Sequence, residues 1–245
     1  MKDRSHNPGF SLTEVLLAVG TLAIGMLFIA GTFLAGVYFT TVSTERTIAA
    51  IAADEAFAKI RIYGVNPAGL AIDRLSPFLI NPAEFAYPST DTVTDKQYYW
   101  SALCRLTEPN TPTNPNPPVQ VTVFVSRKIA AHTRYRNPTD PCNSGIALTY
   151  PVPVEVRVPG AANNVLTVET GKEMFINDGY AVVRNHQLFS QIYRVVERDA
   201  ARPNRIILDR PWLAPGANDS VWVIPPPFDS GRYPCIAVYQ KVMKF

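Results

Sequence analysis

Three cysteines and three histidines in 245 residues are too few and too scattered to suggest a metal site. Cys104, Cys142 and Cys235 form no CxxC pair, and His6, His132 and His186 sit in unrelated contexts that read as leader, surface or turn. No glycine-rich phosphate loop is present, and no nucleophile, base and acid recur at a catalytic spacing, so an enzyme is not expected. A net charge of +3 without a basic cluster gives no compositional case for nucleic-acid binding. Charged residues make up only 18% of the chain, and from Val15 to Thr44 there are none. No second hydrophobic segment of that length follows.

That uncharged run covers 30 positions, more than the roughly 20 apolar residues a helix needs to cross a bilayer. It opens with a carboxylate, Glu14, whose burial at mid-membrane would cost about 2–3 kcal/mol, and less near the interface. A cost of that size calls for a partner. An ordinary secretory signal is excluded, because the apolar core is too long and no A-x-A site follows it. A short basic leader, MKDRSHNPG, precedes the run and ends in Gly9; Glu14 is the fifth residue counted from Phe10.

The stretch G-FSLTEVLLA resembles the class III signal of type IV prepilins and type II secretion pseudopilins. The shared pattern is a short charged leader, a glycine, an aromatic residue and a carboxylate at the fifth position of a long apolar helix. The resemblance implies a prepilin peptidase that cuts between Gly9 and Phe10 and methylates the new Phe10 amine. It also implies that Glu14 meets the N-terminal amine of a neighbouring subunit and so sets the axial register. One charged pair in an apolar seam suits that task, because a wrong register leaves both charges unpaired. Many major pilins carry a proline at the twenty-second mature position; Gly31 stands there, a departure that fits minor pilins and pseudopilins.

The helix is expected to run from 10 to 62, with 10–44 as its transmembrane and assembly part, and to be roughly 80 Å long. Gly20, Gly25, Gly31 and Gly36 within it read either as close helix packing or as points of local unwinding in a filament. Further on, Ala49, Ala53, Ala56 and Ile60 form a seam at helical spacing with Phe57 beside it, while Ile48, Ile51 and Ile62 fall on the opposite side. Gly64 and Asn66-Pro67 end the helix.

Most of the 22 prolines fall in 109–118, 137–141, 151–159 and 225–227, which read as loops and strand boundaries. Between them, YYWSALCRL (98–106) and VQVTVFVSR (119–127) alternate as strands. VPVEVRV (152–158) and NVLTVET (164–170) are expected as third and fourth strands of the same head. After Gly171, short strands at 180–184, 191–198, 204–209 and 220–225 suggest an added small barrel or second sheet. CIAVYQKV (235–242) is expected to return to the first sheet. The fold class is therefore α+β: a long N-terminal transmembrane helix on an antiparallel head (63–170), with an additional C-terminal β module (171–245).

The expected function is a structural minor subunit of a type IV pilus or pseudopilus. The alternative is a pilin-anchored binding module that recognises a surface, DNA or a secreted substrate through its C-terminal part. The resemblance implies as partners the prepilin peptidase, other pilin or pseudopilin subunits, an inner-membrane assembly platform and the membrane. No cofactor is expected. The chain would cross the inner membrane once, with its N-terminus cytoplasmic before processing and its head periplasmic. That compartment permits disulfides. A Cys104–Cys142 bridge would pin the intervening loop to the sheet, and Cys142–Cys235 is its rival, since pilins often staple their C-terminal region. Asn177-Asp178-Gly179 reads as a turn, with the calcium-ligand role known in some pseudopilins as the alternative.

Overall fold

The structure is a computed structural model that describes residues 10–89, 96–185, 190–213, 216, 219–229 and 232–245. The leader with Gly9 and His6, and His186, lie outside the described residues. The fold is α+β, as expected: one long N-terminal helix packed on antiparallel sheets. The chain divides into two units, one ending at Arg46 and one running from Thr47 to Phe245.

The helix α1 spans Leu12–Tyr63 and contributes to both units. It starts two residues later than expected because Ser11 caps it, its hydroxyl accepting from the Glu14 N–H at 3.3 Å. It continues unbroken through all four glycines and ends at Gly64, whose positive φ of 74° favours glycine. The strands are β1 (Ser76–Pro77), β2 (Ala86–Tyr87), β3 (Tyr98–Leu106), β4 (Val119–Arg127), β5 (Val154–Arg157), β6 (Gly160–Ala162), β7 (Val165–Thr167), β8 (Ala181–Asn185), β9 (Ile192–Arg198), β10 (Arg205–Leu208), β11 (Ser220–Val223) and β12 (Cys235–Met243).

In the first sheet the order is β1-β3-β4-β12, with β2 also paired to β3. The β3–β4 hairpin runs in register from Tyr98↔Arg127 to Leu106↔Val119. Side chains alternate between the faces of a strand, so Trp100, Ala102, Cys104 and Leu106 join Val119, Val121, Val123 and Val125 on one side. Against them lie Ala49, Ala52, Ala53, Ala56, Phe57 and Ile60 of α1. Four alanines let the helix backbone approach the sheet closely, and Phe57 and Ile60 fill the end of the seam. Ile51 and Ile62, on the far side of the helix, are exposed. Lys59 ties the helix to the turn before β2, bonding Glu84 Oε2 at 3.0 Å and the Glu84 carbonyl at 3.1 Å.

The second sheet has the order β5-β11-β8-β9-β10-β7-β6 and is antiparallel throughout. It curls round a single core that includes Val156, Leu166, Phe175, Val182, Val195, Ile206 and Val221. One hydrogen bond joins the edge strand β5 to the chain just after β7, from the Glu169 N–H to the Arg157 carbonyl at 3.0 Å. The result is a partly closed barrel, one of the forms expected for the C-terminal region. Its membership differs from expectation in one respect. VPVEVRV and NVLTVET supply β5 and β7 to this sheet, not to the first, because their buried valines and Leu166 pack with Val221 and Val223. The second sheet therefore starts before Gly171, at Val154. The final strand, β12, returns to pair with β4.

The two sheets meet through a third core in which Leu103 and Phe124 face Val183, Trp222 and Ile224. Polar links cross the same junction: Asn185 Oδ1 accepts from the Leu75 N–H at 2.9 Å, and Gln120 Nε2 donates to the Ser190 carbonyl at 3.1 Å. A buried ion pair braces the neighbouring strands β8 and β11. Fully buried Arg184 donates to Asp219 at 2.7 Å and to the Leu213 carbonyl, with its guanidinium 4.2 Å over the Trp212 ring. The same Asp219 oxygen accepts from Trp212 Nε1 at 2.7 Å and from the Gly216 N–H at 3.0 Å. Removing one partner of such a pair leaves a bare charge in the core. Asp219→Ala should thus lower stability by about 3–5 kcal/mol, read as a loss of unfolding midpoint in denaturant; a change within error would show that water reaches Arg184.

Candidate functional site

The candidate site is the beginning of α1. Phe10 precedes the helix and is 82% exposed. Ser11 organises the first turn: its carbonyl accepts from the Glu14 N–H at 3.0 Å and the Val15 N–H at 3.2 Å, and its hydroxyl shares a 2.6 Å bond with Thr13. This is the capping half of an S-x-x-E box. Glu14 sits in the first turn, where the exposed N–H groups and the helix dipole favour a carboxylate. Among the described residues it has no cationic partner. The structure thus holds Glu14 on a capped, rigid turn one helical repeat from Phe10, with its side chain exposed.

Behind it the helix is apolar on all sides and long enough to cross a membrane, with none of its most apolar window buried. Val15, Leu16, Leu22, Ile24, Phe28, Phe33 and Val37 are all exposed. The polar atoms in this stretch are dealt with internally. Thr21 and Thr32 donate their hydroxyls to the carbonyls of Ala18 and Ile29, three residues back. Thr40, Thr41 and Thr44 donate to Gly36, Val37 and Thr40, four residues back, all at 2.9 Å. In water such bonds compete with solvent; in hydrocarbon they are the means by which a hydroxyl avoids a penalty of several kcal/mol. At Gly20, Gly25, Gly31 and Gly36 an added Cβ would meet nothing within 4 Å. At about 100° per residue, Gly20 and Gly31 line up on one side, and Gly25 and Gly36 on another.

The cysteines do not pair. The structure joins none of them, neither Cys104 to Cys142 nor Cys142 to Cys235. Cys104 points into the helix-facing core, whereas Cys235 lies in the core between the two sheets, on the opposite face of the same sheet. Cys142 is exposed, in the loop after β4. Burial pushes the Cys104 thiol up to about 12. It does the same to Cys235, also to about 12, against hydrogen bonds with Tyr233, Ser126 and the Ala237 backbone that pull it down. A thiol held protonated is a poor nucleophile.

The remaining candidates fall into place as turns or surface. His132 is exposed in a turn. Asn177 to Tyr180 form a turn in which the Tyr180 N–H bonds the Asn177 carbonyl at 3.1 Å and Gly179 takes a φ of 78°. Among the described residues no three His, Cys, Asp or Glu side chains converge as metal ligands would. What sequence reasoning missed is the Arg184–Asp219–Trp212 cluster, because residues 184, 212 and 219 carry no common spacing.

A thiol reagent added to the native chain should label one cysteine, Cys142, and all three only after denaturation. Fast native labelling of Cys104 or Cys235, or a bridged peptide in a non-reducing map, would contradict this arrangement. Comparison with family models, with curated proteins and with solved structures gives no match for this chain.

Proposed function

We propose that the chain is a structural minor subunit of a type IV pilus or type II secretion pseudopilus, inserted in the inner membrane and assembled after a prepilin peptidase removes residues 1–9. The observation that carries the reading is the start of α1: Phe10 and a capped Glu14 at the head of an exposed apolar helix whose hydroxyls are satisfied internally. A soluble protein has no use for such a surface. In a plain membrane anchor that carboxylate would serve the helix N-terminus alone. A neighbouring subunit whose N-terminal amine meets Glu14 gives the charge a partner. The head would then lie on the periplasmic side, held there by Lys2 and Arg4 on the cytoplasmic side of the membrane. Assembly would involve other pilin-type subunits and an inner-membrane platform.

The size of the second sheet favours a second reading as well: a pilin-anchored module that recognises a surface, DNA or a secreted substrate. The two readings separate on whether the barrel strands can be altered without loss of assembly.

Two outcomes test the main reading. In cells with an active prepilin peptidase, mass analysis of the mature chain should find N-methyl-Phe10 at its start, and a retained Met1 would overturn the processing step. Glu14→Val should insert and be cleaved as well as the native chain, since removing the charge eases insertion by about 2–3 kcal/mol at most. Its recovery in filaments or in crosslinks to neighbouring subunits should fall sharply. Native-level incorporation would remove Glu14 from the register role, unless the subunit sits at the tip with nothing above it.

A further inference from the structure

The outward face of the β6–β7–β10 ribbon carries a groove of about 680 Å³. Strand register explains its floor. Thr167 is paired with Gly160 on one side and Arg205 on the other, so the three share one face of the ribbon. The neighbouring row, Ala161–Leu166–Ile206, points the other way into the barrel core. Because Gly160 has no side chain, the floor is open beside Thr167. At one end lies the Asn163-Asn164 turn, with Asn163 at a φ of 54°; at the other lies the turn carrying Arg202 and Asn204.

Of the polar side chains along this groove, Asn164 is engaged, its amide donating to the Leu208 carbonyl at 3.4 Å. The guanidinium groups of Arg202 and Arg205 make no ion pair or hydrogen bond among the described residues, nor do the side-chain amides of Asn163 and Asn204. Asp199, the closest acid along the chain, is already committed to the backbone N–H groups of Ala201 and Arg202, at 2.9 and 3.2 Å. No acidic and no aromatic side chain lines the groove. Two planar cations suit a carboxylate or phosphate, which each can grip with two parallel N–H bonds. The amides, each donor and acceptor, suit hydroxyl groups. The apolar lining is confined to small side chains such as Ala162 and Val165, which give a large apolar ligand little to bury against, and a neutral sugar lacks the aromatic face on which it would stack.

We infer that this groove binds an acidic saccharide, its acid group held by Arg202 and Arg205 and its hydroxyls by Asn163 and Asn204. The site goes beyond the filament reading and does not depend on it. The full chain in detergent, titrated by calorimetry with glucuronate, a hyaluronan tetrasaccharide, glucose 6-phosphate, glucose and inorganic phosphate, tests it. The acidic sugars should bind, more weakly at high salt, and glucose should not. Arg202→Ala or Arg205→Ala should weaken binding about tenfold or more, the loss of a charge-assisted hydrogen bond. Gly160→Leu should abolish it by filling the floor, while Arg157→Ala, outside the groove, should leave it unchanged. A preference for the tetrasaccharide over glucuronate would assign the groove to a polymer, and the reverse to a free sugar acid. No binding of any acidic sugar at about 10 mM, equal binding by the groove variants, or equal affinity for inorganic phosphate alone would overturn the inference. Filament incorporation of the same variants is a separate readout, so loss of saccharide binding with normal assembly leaves the filament reading untouched.

Discussion

The double burial of the β3–β4 hairpin is the constraint on which the head depends. One face takes the alanine seam of α1 and the other takes β8 and β11 of the second sheet. A strand buried on both sides has no solvent face, so its residues must be apolar or individually satisfied. The sequence YYWSALCRL meets this in part: large residues (Trp100, Leu103, Leu106) fill both cores and small ones (Ala102, Cys104) make room for the helix, while Trp100 Nε1 and Ser101 Oγ are buried without a hydrogen-bond partner. Cys104 packs here as a small apolar side chain.

Polar groups in the molecule follow one rule at two places. In the first part of α1 the threonine hydroxyls bond back to the helix's own carbonyls. In the barrel, Arg184 and Asp219 satisfy each other along with an indole and two backbone groups. Both arrangements answer the same penalty, the cost of a polar atom without water. The solutions differ because the helix can rely only on its own backbone, whereas the barrel core can call on distant strands. Glu14 is the exception. Its carboxylate gains from the helix N-terminus, but has no counter-charge among the described residues, which is what directs attention to a second chain.

The groove on the β6–β7–β10 ribbon shows the opposite condition, with Arg202, Arg205, Asn163 and Asn204 set on a surface of small residues. The partner of Glu14 and the occupant proposed for the groove thus concern separate parts of the chain. A change at one leaves the other chemically intact.

The sequence by itself determined the elements whose information is local. The 30-residue uncharged run and its capped glutamate announced α1, and strict alternation located β3 and β4 to the residue. The alanine seam was legible because helical spacing needs only one strand of text. Which sheet each short strand joins was not legible. VPVEVRV alternates equally well beside β4 or beside β11, and only the shared core with Val221 and Val223 decides between them. The two-residue strands β1 and β2 are too short to carry a period at all. The setting of the cysteines was not legible for a related reason: chain separation says how much a bridge would stabilise, but not that Cys104 and Cys235 are buried while Cys142 is exposed in a loop. The groove and the buried ion pair were hidden in the same way. Their residues are brought together by strand order and register, and those are set by packing energies summed over the whole fold.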